Sequence, residues 1–101
     1  MCSSDLFPSH DRLNRSIPIS VNTTAQVDNT YVMTAYLILT LPPTPTAGDE
    51  VGVINRSGTT TCVIARNGSK IMGLAENMIV DKLNAPLTLR YIDATQGWIL
   101  V

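Results

Sequence analysis

The side chains that could do chemistry in this sequence are few and far apart. His10 is the only histidine, so a His-based metal pair or a Ser-His-Asp relay would need the polar N-terminal stretch to fold back onto the rest. Asp49 and Glu50 are adjacent, but neighbours on a strand point to opposite faces, so they could pair as acid and base only if Asp49 lay in a turn. Asp81 and Asp93 fall where strands should end, a usual place for a carboxylate that caps backbone N–H groups. No strand-to-helix nucleophile elbow is present, and Gly48, Gly52, Gly58, Gly68, Gly73 and Gly97 sit at turns or strand ends without spelling a phosphate loop. Cys2 and Cys62 read as two free thiols, Cys62 within a strand and Cys2 in a loose terminus, with one pairing left open. These patterns argue against an enzyme and offer no cofactor or metal site.

The remaining candidates suit contact rather than catalysis. Trp98, Tyr31, Tyr36 and Tyr91 could stack on sugars, but packing in a core or an interface is the simpler reading. Trp98 is expected to be a core anchor beside Gly97, whose missing side chain leaves room for it. Arg66 and Arg90 lie inside expected strands and, with Ile17 and Ile19, are candidates for a subunit interface; solvent-facing alternation also accounts for the two arginines.

Composition supports that emphasis. Hydrophobic residues make up 45% of the 101 residues and charged residues 15%, against about 25% charged in an average soluble domain. A surface so poor in charge should be partly hidden in an assembly. The net charge is −1 and the seven basic residues are scattered, which speaks against a nucleic-acid partner. The longest apolar-rich stretch, residues 31–41, falls far short of the ~20 residues of a membrane helix. The start shows neither a basic n-region nor an apolar h-region. The expectation is a soluble protein made in a cytosol, with no membrane partner and no glycan at Asn22, Asn55 or Asn67.

Positioning would fall to short strands. Residues 1–16 are polar, with isolated Leu6, Phe7 and Leu13, and read as an arm able to place three apolar anchors in a partner's pockets. Residues 17–101 read as one β domain. Ile17, Ile19 and Val21 alternate with polar residues, and Pro18 suits an edge. Residues 31–41 form the strongest expected strand, with Leu37, Leu39 and Leu41 on one face. A proline connector follows, then strands over 50–54, 61–66, 69–73, 77–81, 87–93 and 98–101. Asn67-Gly68 is the clearest hairpin signal, and at most one helical turn fits, near Leu74-Ala75-Glu76. Eight or so short strands imply an all-β fold, a small antiparallel β-sandwich or barrel with an extended N-terminal arm.

Four blocks carry a resemblance. They are Leu41-Pro42-Pro43-Thr44-Pro45-Thr46-Ala47-Gly48-Asp49-Glu50-Val51, Ile64-Ala65-Arg66-Asn67-Gly68-Ser69-Lys70-Ile71-Met72-Gly73, Asn77-Met78-Ile79-Val80-Asp81, and Leu87-Thr88-Leu89-Arg90-Tyr91-Ile92-Asp93-Ala94-Thr95-Gln96-Gly97-Trp98. In order and spacing they resemble a β module of bacteriophage virion proteins, found in tail fibres and in small capsid or tail accessory proteins. The resemblance implies a homotrimer without catalytic residues or cofactors, located in the virion and bound to the major capsid protein or another virion protein. The short chain, without shaft repeat or coiled coil, favours a capsid cement (decoration) protein. The alternative is a tail fibre, tailspike or baseplate component that binds a host receptor.

Overall fold

In the computed structural model, residues 16–101 are described. Nine strands account for their regular structure: β1 (Ser16–Ile19), β2 (Thr23–Thr24), β3 (Thr30–Met33), β4 (Ile38–Thr40), β5 (Glu50–Asn55), β6 (Cys62–Ala65), β7 (Met78–Val80), β8 (Leu87–Asp93) and β9 (Gly97–Leu100). The all-β expectation holds, and no helix forms among the described residues, at 74–76 or elsewhere. Leu6, Phe7 and Leu13, with His10 and Cys2, lie outside the described residues. Ser16, assigned to the arm, is the first residue of β1.

Strand pairing corrects the sequence reading. One sheet runs β1-β3-β5-β8-β9 and the other β2-β4-β6-β7. The pairs β1–β3, β3–β5, β2–β4 and β4–β6 are parallel, and the pairs β5–β8, β6–β7 and β8–β9 are antiparallel. Both sheets are therefore mixed, not antiparallel. The cause is connectivity: from β1 to β6 the chain alternates between sheets, so each strand lands beside the one two earlier and runs the same way. Only after β6 does it turn back on itself, closing each sheet with antiparallel strands.

Alternation within strands places the core. Ile17 stands opposite Tyr31, Tyr31 opposite Val53, and Val53 opposite Leu87, so one inward column crosses four strands of the first sheet. In the second, Leu39 pairs with Ile64 and Ile64 with Met78. Tyr31, Met33, Leu39, Val51, Val53, Ile64, Leu89 and Trp98 join a single buried cluster drawn from both sheets. Full burial of each such side chain stabilises the fold by about 1.5–3 kcal/mol.

The expected long strand over 31–41 is split into β3 and β4. Eleven extended residues would reach about 36 Å, too long for one small core. The chain turns a corner at 34–37 instead, and Tyr31, Met33, Leu37, Leu39 and Leu41 all stay buried. The Asn67-Gly68 turn forms as expected, with φ of 50° and 89°, yet the return segment 69–73 makes no strand against β6. It bends away, and Ile71 bridges to Leu74 and to Trp98 of β9.

Candidate functional site

The carboxylates singled out by spacing are structural where the chain turns. Asp49 Oδ2 accepts the Thr46 N–H at 2.7 Å, closing the turn after the prolines. Asp93 Oδ1 accepts the Thr95 and Gln96 N–H groups at 3.0 and 2.7 Å, closing the β8–β9 hairpin. Glu50 lies opposite Arg90 across the β5–β8 pair, and Arg90 Nε donates to Glu50 Oε2 at 2.6 Å. Asp49 and Glu50 thus serve different partners and do not meet as an acid–base pair.

Arg66, the second candidate arginine, donates from Nη1 to the Ser69 carbonyl at 3.1 Å and straps the Asn67-Gly68 turn. Ile17 and Ile19 pack against the buried cluster from the outermost strand of the first sheet. Trp98 is wholly buried. Its ring meets Tyr91 edge-on at 5.6 Å, and its indole N–H has no hydrogen-bond partner among the described residues.

The sequence reading placed Asn67 in a turn and Asn22 and Asn77 in strands; their side chains do more. At the corners, where a strand leaves its neighbour, their amides replace a missing backbone partner. Asn22 Oδ1 accepts the Ile38 N–H, Asn77 Oδ1 accepts the Arg66 N–H, and Asn67 Nδ2 donates to the Leu41 carbonyl.

Asn55 is fully buried. Its Nδ2 donates to the Thr59 carbonyl at 2.8 Å and the Val80 carbonyl at 3.3 Å, while Oδ1 accepts the Ser57 N–H at 3.0 Å and the Ser57 hydroxyl at 2.6 Å. All four hydrogen-bonding positions of the amide are filled. Cys62 Sγ lies 3.4 Å from Ser57 Oγ and 3.7 Å from the Ala35 carbonyl. Among the described residues no basic side chain hydrogen-bonds to this thiol or hydroxyl, and the bonds that are made close the turn over 55–59. The signal for Asn55 was present in sequence as the continuation of the inward series Val51, Val53, Asn55.

The strongest surface feature lies where the two sheets end. β7 and β9 are the last strands of their sheets, and two adjoining hollows of about 270 and 160 Å³ open beside them. Met78 and Leu100 line both. Among the described residues, nine large apolar side chains are exposed; Met72, Leu74, Ile79 and Leu100 line these hollows, and Leu83 and Val101 adjoin the lining residues Lys82 and Leu100 in sequence. The chemistry on offer is an apolar contact surface. No group of three or more His, Cys, Asp or Glu among the described residues could hold a metal, and no helix there is long and apolar enough to cross a membrane.

No protein-family model and no curated protein matches this chain.

Proposed function

We propose that the protein is a structural subunit of a phage particle: a capsid cement protein, with a small sandwich of two mixed sheets, that binds the capsid surface as a homotrimer. The four-block resemblance supplies the class. The observation that carries the reading is the concentration of exposed apolar side chains at the β7/β9 end, on a chain with only 15% charged residues. A contiguous apolar surface on a small domain marks a contact site.

In this reading residues 1–15, ahead of β1, act as an arm that binds a partner within the assembly, and the chain carries no catalysis and no cofactor. The tail-fibre or baseplate alternative draws on aromatic stacking with host sugars. Trp98 is buried, and Tyr36 is the one exposed aromatic side chain among the described residues, which leaves that reading little platform. Copy number tests the choice. Gel densitometry of purified particles should find hundreds of copies per particle, whereas a few to a few dozen would place the protein in the tail.

A further inference from the structure

We infer that the groove between β7 and β9 receives residues 1–15 of a neighbouring copy of the same chain. This deepens the reading of the protein as an assembling subunit and rests on it. The groove is apolar and has an open strand edge. Val101 donates its N–H to the Thr88 carbonyl on the β8 side. Backbone groups of successive strand residues point to opposite sides, so those of Trp98 and Leu100 face away from β8. Trp98 is served there by the Lys70 carbonyl and the Met72 N–H. At Leu100 no described strand follows. An extended segment laid along the groove would pair with that edge and drop side chains into the two hollows, the mode of strand addition.

The choice of occupant follows from the length and attachment of the remaining chain. Fifteen residues precede Ser16, and extended they reach about 50 Å. They join β1, at the opposite edge of the same five-stranded sheet from β9, about 19 Å away at the usual strand spacing. Phe7 and Leu13 fall on one side of an extended segment and are apolar matches for the hollows. Glu76, Asp81 and Lys82 line the hollows, which leaves them one net negative charge, and Arg12 and Arg15 lie on either side of Leu13. To reach its own groove the segment would have to reverse at β1 and cross β3, β5 and β8, over a face that mixes the polar Thr30, Glu50, Thr88 and Arg90 with the apolar row Pro18, Val32 and Ile54. A neighbour with its β1 edge near this β9 edge delivers the segment directly.

Cysteine trapping in the full-length chain tests this. In a Cys2→Ser background, a Phe7→Cys chain is co-expressed with an Ile79→Cys chain and mildly oxidised. The expected result is a disulfide-linked heterodimer as the main product, lost when Tyr36→Cys replaces Ile79→Cys. Absence of the product, or equal trapping at Tyr36→Cys, overturns the inference. So does an intrachain disulfide without interchain product when both cysteines share one chain. Particle copy number separates the two readings: a protein at hundreds of copies that fails to trap keeps its function and loses the inference, and a trapped protein absent from particles does the reverse.

Discussion

At Gly97 the backbone leaves no room for a side chain. A Cβ there would sit 1.9 Å from the Lys70 carbonyl oxygen, and φ is 71°. The same carbonyl accepts the Trp98 N–H at 2.8 Å, so the contact that excludes a methyl group also fixes the tryptophan. The sequence suggested that Gly97 makes room for the Trp98 ring; what occupies the space is the Lys70 backbone. Gly97→Ala combines a left-handed penalty of about 1–2 kcal/mol with an overpacking cost of about 1–3 kcal/mol. Urea denaturation should therefore show a loss of about 2–5 kcal/mol, and a midpoint within error of the parent would refute the close approach. Trp98→Ala should cost about 3–5 kcal/mol by the same assay, as for other large core truncations. By contrast, the Arg90–Glu50 pair joins a half-exposed guanidinium to its carboxylate across two strands. Exposed ion pairs are worth about 0–1 kcal/mol, so Arg90→Ala should barely move the midpoint, and a loss as large as that of Gly97→Ala would show that the arginine has a further role in the fold.

At the level of elements, most strand positions were legible, although 31–41 divides in two, 69–73 forms no strand and β2 went unread; strand partners were not legible. The period-two alternation of Ile17-Pro18-Ile19 and of Val51-Gly52-Val53 shows which residues turn inward, whichever way the neighbouring strand runs. Direction depends on the connections, and the signals for a hairpin and for a corner between sheets overlap. Asn67-Gly68 forms the turn its residues favour, yet the strand that pairs with β6 arrives later, as β7. The coiling itself is masked by unequal spacing. Ile17 lies opposite Tyr31, fourteen residues on, whereas Tyr31 lies opposite Val53, twenty-two residues on, because the proline connector lengthens the second coil. The exposed end was illegible for a different reason: Met72, Leu74, Ile79 and Leu100 come from three separate segments, and only the pairing brings them together. Pro18 was legible as an edge residue, and β1 is the first strand of its sheet. The Thr34 N–H bonds the Ile19 carbonyl on the β3 side, so the donorless nitrogen of Pro18 faces outward and blunts that edge. Pro18→Val should leave folding stability unchanged or slightly raised, because valine favours strands. It should also produce concentration-dependent association in light scattering. A variant as monodisperse as the parent would mean that the proline is not what guards this edge.

For the whole molecule, the two ends of the sheets differ in kind. One end carries β1 with its proline; the other carries β7 and β9 with most of the exposed apolar surface. A contact joining unlike ends closes into a ring if the rotation per subunit divides a full turn, and otherwise grows into a filament. The proposed homotrimer is one such closed ring, and native mass spectrometry at micromolar concentration should show it. Ile79 is the informative position because it is 52% exposed on β7 and lines the larger hollow. Ile79→Lys removes little from the folded monomer, since substitutions at such surface positions usually change stability by about 0.5 kcal/mol or less. In an assembled interface the same lysine would force an ammonium group into an apolar contact, and burying an unpaired charge costs several kcal/mol. A ring repeats that contact at every subunit boundary, so the cost recurs around the ring. The expected result is a melting transition that survives in a protein that has become monomeric. Val21→Lys, at a residue 68% exposed in the segment between β1 and β2, is the control and should remain trimeric. If Ile79→Lys is as trimeric as the control, the subunits meet through another face, and the apolar end is left for the proposed capsid contact.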